Sequence, residues 1–340
     1  DGKTSFKSFG WWAARAVWCM ATGLRVFRSV DTSFADELGL RVVRTFPHVE
    51  HMLARYDSVR IIQGYRVPQW LLYESAADAT SELLLGLNEY YTATRDERCR
   101  HFIRRLARGL IVMQDGNITN FPFGLHRSWQ TMWHMWGNGQ TQALAQAGAL
   151  LRDKNMIGSA EREAQGFYSR LLIQGFVKEI DVAAPEHTIR YEQIAYGVRP
   201  MAIGLVRLYE ATKKREYLTM AGLAASWFFG NNAAQKPMYD PTMGRCFDGI
   251  QDSLTVNLNS GAESTIEALY TLLEVERFPE ALHYVHYRRV SSGENQRYLW
   301  GTFADTSGSE VTLVLDRKQA RLMVLEHRNS KAFRRNMQRP

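Results

Sequence analysis

Gly86-Leu87-Asn88-Glu89-Tyr90-Tyr91-Thr92-Ala93-Thr94-Arg95 and Gly204-Leu205-Val206-Arg207-Leu208-Tyr209-Glu210-Ala211-Thr212-Lys213 align without a gap, 118 residues apart (204 − 86). Gly, Leu, Tyr, Ala, Thr and a base coincide. Each copy reads as the end of a long helix, a tight polar turn and the start of the next helix. The offset holds two helical hairpins of about 55 to 60 residues, as expected of repeat units that stack because one unit cannot bury its apolar face alone. About five to six such hairpins fill residues 1–290. A stack of that length closes readily into an all-α (α/α) toroid, with inner helices lining a funnel and outer helices wrapping it. An open superhelix is the structural alternative.

Outward from the repeat, apolar residues recur at three and four from Trp11 to about His286, broken by short Gly, Pro, Asn or Asp punctuation. The pattern predicts helices over 10–29, 33–56, 70–93, 96–114, 134–152, 158–180, 191–211, 214–229, 261–275 and 279–289. Only Arg297 to Glu326 reads as strand, where Val311-Thr312-Leu313-Val314-Leu315 and Leu322-Met323-Val324-Leu325 flank a charged turn. The expected organisation is a toroid domain over 1–290, a small β-hairpin extension over 291–328 packed on it, and a basic tail over 329–340. Loops at 115–133, 181–190 and 230–260 are long and rich in Gly, Asn, Asp, Trp and His. Long ordered loops on a rigid scaffold commonly carry function.

Composition bounds the chemistry less tightly. The 340 residues are 45% hydrophobic and 12% aromatic, with nine Trp, fifteen Tyr and sixteen Phe, which describes a globular chain with a large core. The net charge of +7 is weighted to the end, where Arg328, Lys331, Arg334, Arg335 and Arg339 read as a solvated face. No nucleic-acid-binding motif accompanies them. Cys19, Cys99 and Cys246 are odd in number, widely spaced and set in helical pattern, so they read as reduced core thiols and point to a cytoplasmic location. No run of eighteen apolar residues suggests a membrane span. The chain opens at Asp1 rather than Met, so an address carried on its natural start would not be visible. G-x-S-x-G, H-E-x-x-H, P-loop and dinucleotide fingerprints are absent, as is any ligand spacing for a metal, and no cofactor is expected.

Three segments hold residues suited to a polyhydroxylated ligand. The first runs from Phe121 to Gln140 and sets His126, His134, Asn138 and Gln140 among Trp129, Trp133 and Trp136. Ring faces beside hydrogen-bonding heads suit a pyranose, although buried tryptophans anchoring a loop would give the same pattern. The second, from Trp227 to Thr265, carries Asp240, Asp248, Asp252 and Glu263 with Tyr239, Arg245, Asn257 and Asn259. Glycoside hydrolysis needs two carboxyl groups facing across the bond, one to protonate the leaving oxygen and one to activate water or attack. The same acids are ordinary turn formers, and Glu263 near N3 would complete a capping box with Ser260. The third pairs Glu192, Tyr196 and Arg199 with the equivalent stretch around Asp78. Charges in such apolar helices are either ion-paired or facing a funnel.

The pattern W-F-F-G-N-N, P-M-Y-D-P-x-x-G-R-C-F-D-G-I and V-N-L-N-S-G-A-E-S-T-I-E-A-L-Y-T-L-L over residues 227–273 resembles the final hairpin of bacterial (α/α)6-toroid carbohydrate-active proteins, which are glycosidase-like. Some of these are toroid domains attached to glycosyltransferases. With Glu192-Gln193 and Tyr209-Glu210-Ala211-Thr212, the resemblance covers about residues 190–275. The start of the Glu263 helix is similar to the acid-bearing helix of family 9 cellulases. Trp136-Gly137-Asn138-Gly139 is similar to the R-G-N-G-W of unsaturated glucuronyl hydrolases, with Trp136 where that motif has arginine. The resemblance implies a six-hairpin toroid and a saccharide ligand.

The expected function is therefore glycoside hydrolysis. Glu263 would be the general acid, its pKa raised by burial among rings, with Asp248 or Asp78 as base or nucleophile. His126, Trp129, Trp133, His134, Trp136, Asn138, Glu192, Tyr196, Arg199, Tyr239, Asp240, Arg245, Asn257 and Asn259 would hold the substrate. A lyase or epimerase on the same scaffold, using His134, His126 or Tyr196 to move a C–H proton, is one rival, and a non-catalytic saccharide-binding module is another. A terpenoid cyclase lacks its acidic motif here.

Overall fold

The computed structural model describes residues 8–337, so Asp1 and Arg339 lie outside it. The chain begins with α1 (Trp11–Phe27), α2 (Thr32–Val43) and α3 (Phe46–Leu53). The single helix expected over 33–56 is broken at Arg44 and Thr45. Pro47 lies in the first turn of α3, where its missing N–H costs nothing, and would clash in a helix interior. A hairpin, β1 (Val59–Ile62) and β2 (Tyr65–Pro68), follows, and the helix expected from residue 70 starts only at Ala77. Next come α4 (Ala77–Thr94), α5 (Glu97–Val112), β3 (Met132–His134), a 3-10 turn (Met135–Gly137) and α6 (Gln140–Leu151). Then α7 (Lys154–Glu163) passes through one π turn into α8 (Ser169–Gln174), where Gly175 at φ 104° ends it.

After β4 (Glu179–Asp181) and β5 (Gln193–Ile194) come α9 (Ala195–Thr212) and α10 (Glu216–Ala225). Four two-residue strands, β6 (Tyr239–Asp240), β7 (Arg245–Cys246), β8 (Gly249–Ile250) and β9 (Val256–Asn257), staple the long loop before α11 (Ala262–Glu276) and α12 (Pro279–His283). The expected helix to residue 289 stops at His283, because Arg288 already opens a sheet. That sheet is larger than the hairpin expected. It is a four-stranded antiparallel meander of β10 (Arg288–Glu294), β11 (Tyr298–Ala304), β12 (Glu310–Asp316) and β13 (Arg321–Glu326), followed by α13 (His327–Met337). Every residue of β12 is buried, since α8 covers one side of the sheet and α13 packs on β12 and β13. The basic residues Arg328, Lys331, Arg334 and Arg335 lie on α13, with Arg334 paired to Glu310 at 2.9 Å. Among the described residues no helix is long and apolar enough to cross a membrane. Cys99 and Cys246 are buried as expected, but Cys19 is exposed.

Helices α1, α4, α6, α9 and α11 form an inner row, each packed on the next, while α2, α5, α7, α10 and α12 pack behind. The first half of α4 and of α9 is buried at every position, as a helix with neighbours on all sides must be. The repeat has a physical origin at both ends. Thr94 and Thr212 donate to the carbonyls of Tyr90 and Leu208, and Arg95 and Lys213 turn the chain at φ 59° and 61°. Gly86 and Gly204 sit where α4 meets α1 and α9 meets α6. A Cβ at Gly86 would lie 2.7 Å from the backbone nitrogen of Trp18, and one at Gly204 would lie 3.2 Å from that of Gln142.

Arg199 joins four of the five inner helices. Fully buried on α9, it donates through Nε to Glu267 Oε2 of α11 at 2.5 Å and through Nη1 to Gln142 Oε1 of α6 at 3.1 Å. Its Nη2 lies 3.8 Å from Glu82 Oε1 of α4. Burial opposes its charge, but Glu267, Glu82 and Tyr196 together outweigh that and hold its pKa above the ordinary arginine range.

Two stability predictions follow from these contacts. Gly86→Ala should lower the urea-unfolding free energy by about 1–3 kcal/mol, because backbone cannot move aside as a flexible side chain can. Gly204→Ala should cost less than Gly86→Ala, and equal midpoints for the two would contradict the close crossing. Arg199→Met, which leaves two buried carboxylates without their cation, should cost about 3–5 kcal/mol in the same experiment. A wild-type midpoint would show that the network contributes nothing.

Candidate active site

The N-terminal ends of all five inner helices open onto one cavity of about 560 Å³. Trp11, Trp12 and Arg15 enter from α1, Asp78 from α4, and His134 and Trp136 from the turn that leads into α6. Ile194 and Tyr196 come from the start of α9 and Glu263 from the first turn of α11, while Lys178 and Glu192 lie on the intervening loops. Each helix end presents unpaired N–H groups and the positive end of its dipole, which favours carboxylates there.

Asp78 is the most firmly held of the acids. Its backbone N–H donates to Ser128 O, its Oδ1 accepts from Ala79 N at 2.6 Å, and its Oδ2 lies 3.1 Å from His134 Nε2. The imidazole stacks on Trp136 with centroids 4.5 Å apart. His134 Nδ1 is buried without a partner and lies against Gly137, where a Cβ would be 2.7 Å away. With Nδ1 enclosed, Nε2 is the ring nitrogen that faces the Asp78 carboxylate, at ion-pair distance.

On the facing side, Arg15 Nη2 donates to the Tyr196 hydroxyl at 2.5 Å, and that hydroxyl donates to Glu82 at 3.1 Å. Burial and the charge of Glu82 push the Tyr196 pKa above its ordinary value, so the phenol stays a donor. Arg15 Nη1 reaches Glu263 Oε1 at 3.6 Å. Glu263 is 62% exposed rather than enclosed by rings as expected. Glu192 also faces solvent and makes no ion pair among the described residues.

Six residues singled out from sequence meet here: Asp78, His134, Trp136, Glu192, Tyr196 and Glu263. The others do not line the cavity. His126 is fully buried between Glu163 at 2.8 Å and Ser159 at 2.9 Å, Trp133 is buried edge-on to Phe167, and Asn138 is buried against Gly197 O. Trp129 stands in a separate bridge and is partly exposed. Asp248 caps α11, accepting from Gly261 N at 2.8 Å and Ser264 Oγ at 2.7 Å. Asp240 closes a turn by accepting from Thr242 and Met243 N–H groups, with Arg245 3.7 Å away, and Tyr239 lies edge-on to Phe229. Asn257 accepts from Asn259 N, while Arg199 is committed to the interhelical network. Sequence reasoning missed Trp11, Trp12, Arg15, Lys178 and Ile194. The one available signal was the Trp11-Trp12 pair with a base one turn on, which also reads as ordinary helix pattern. Among the described residues no group of three or more His, Cys, Asp or Glu side chains is placed to hold a metal ion.

No protein-family model and no curated protein matches the sequence. Solved structures do match the fold. An α-mannanase of glycoside hydrolase family 76 from Bacteroides thetaiotaomicron superposes with a TM-score of 0.53 at 11% identity, over 80% of this chain and 71% of that one. Cellobiose 2-epimerase from Spirochaeta thermophila gives 0.52 at 11%, over 78% and 70%. Unsaturated glucuronyl hydrolase from Bacillus sp. GL1, responsible for degradation of glycosaminoglycan, gives 0.54 at 14%, over 84% and 74%. At such identities the likeness is one of fold, and the fold neighbours of this chain are (α/α)6-toroid carbohydrate-active proteins.

Proposed function

We propose that the inner row of helices curls into an (α/α) toroid of the kind its neighbours have, and that the chain is a glycoside hydrolase whose substrate sits at the shared N-terminal mouth of that row. The observation that carries the reading is Asp78, which accepts from Ala79 N and faces His134 Nε2 at the wall of a cavity that also holds Trp11, Trp12 and Trp136. Ring faces beside carboxylates and cations are what a sugar needs, since its axial hydrogens pack on the ring and its hydroxyls both donate and accept.

In this reading Asp78 is the base or nucleophile and Glu192, without an ion pair among the described residues, is the proton donor to the leaving oxygen. Glu263, which faces Arg15, holds hydroxyl groups together with Lys178. His134 keeps Asp78 oriented. Nδ1 of His134 is buried and Nε2 faces Asp78, which weighs against a histidine base of an epimerase or lyase.

The test is incubation of the protein with a panel of oligo- and polysaccharides, products being resolved by chromatography and mass. Water-added fragments are expected, with kcat/KM falling by about 10³-fold or more in Asp78→Asn and about 10²-fold or more in Glu192→Gln, but less than about tenfold in Glu263→Gln. Undiminished turnover in Asp78→Asn would overturn the assignment. Binding without products from the parent would make the chain a saccharide-binding module.

A further inference from the structure

Between α1 and α11 lies a second cavity, an open groove of about 700 Å³. Among the described residues the inner row that runs from α1 through α4, α6 and α9 to α11 leaves this side uncovered, so residues that face a neighbour elsewhere in the row face solvent here. Trp12 is 76% and Ile266 61% exposed, whereas α4 and α9 are buried all round through their first halves. Trp12 and Trp18 form one wall, Tyr270 and Ile266 the other, and Glu267 with Arg199 the floor. Trp12, Arg15 and Glu263 line both this groove and the candidate active site, so the two cavities adjoin, with the Arg15–Glu263 pair at 3.6 Å between them among the described residues.

We propose that the groove is a further set of saccharide subsites, resting on the function proposed above, and that the ligand is a sugar chain long enough to cross the Arg15–Glu263 pair from one cavity to the other. Aromatic faces run the length of the cleft, from Trp136 through Trp11 and Trp12 to Trp18 and Tyr270. Hydroxyl-bonding groups alternate with them, as Glu263, Thr22 and Glu267 do in the groove. A helix from another polypeptide would fit the same width but would desolvate Arg15 and Glu263 without bonding them. Sugar hydroxyls satisfy both.

The exposed thiol of Cys19 lines the groove and not the first cavity, and the other two cysteines are buried, so it reports on occupancy of the groove alone. The experiment measures the rate of Cys19 alkylation by N-ethylmaleimide, together with tryptophan fluorescence, as manno-, cello- and xylo-oligosaccharides from the disaccharide to the octasaccharide are added. Short members of the series that binds should change fluorescence and leave alkylation untouched, and long members at about ten times their Kd should slow alkylation about tenfold. Cys19→Trp, which fills the groove, should weaken the long members about tenfold and the short ones not at all, with Cys19→Ser behaving as the parent. Long saccharides that bind yet leave alkylation and the Cys19→Trp affinities unchanged would overturn the groove proposal and leave the active-site reading standing. No response to any saccharide would sink both. An unreactive Cys19 in a protein that light scattering shows to be a dimer would mean that a second copy covers the groove, and would overturn the proposal as well.

Discussion

One buried guanidinium sets the geometry of everything near the cavity. Arg199 holds Glu267, Gln142 and Glu82, and through Glu82 and Tyr196 the network reaches Arg15 on α1, so all five inner helices are tied to it. Bringing these charges out of water is costly, and only completeness of the pairing makes it tolerable. Such a network therefore tolerates few rotations of the helices about their own axes. Residues three and four apart share a helix face, so the turn that feeds the network also aims its neighbour one turn closer to the N-terminus. Glu82 carries Asp78 with it, Arg199 carries Tyr196, and Glu267 carries Glu263. The cavity is the next layer of the same ion network, displaced one turn toward the helix starts.

The sequence made the helices legible because burial in a stack imposes a strong period, and the repeat legible because two crossings need a glycine and two turns need the same threonine cap. Elements without such constraints were read less well. Pro47 was hidden inside a continuous apolar pattern, and residues 70–76 are apolar enough to pass for helix although Trp70, Leu71 and Leu72 are buried from a loop. In the C-terminal sheet, β10 is mostly exposed and polar, so it lacked the apolar run that marked β12.

The site was half legible for a different reason. Its residues are drawn from positions 11 to 263, from several helix starts and the loops between them, and no local pattern links them. Aspartates beside proline or glycine invite two readings, and Asp240 and Asp248 proved to be turn and cap partners. Met132–His134 is a strand, so neighbours alternate: Trp133 turns into the core against Phe167 while His134 faces Asp78. A helix begun at His134 hides that alternation, which separates the core tryptophan from the site histidine.

Charge placement bears on what the cleft accepts. The chain is net basic, yet Asp78, Glu192 and Glu263 line the first cavity against Arg15 and Lys178, and Glu82, Glu263 and Glu267 line the groove against Arg15 and Arg199. A strongly anionic polymer would have to approach carboxylates at short range, where like charges a few ångströms apart cost on the order of 1–4 kcal/mol near a protein surface. A neutral polyhydroxylated chain meets the same wall at no such cost, because every carboxylate accepts and every cation donates to a hydroxyl. The starts of α4 and α11 favour Asp78 and Glu263 where they stand, and basic charge is carried elsewhere, on α13 among other surfaces.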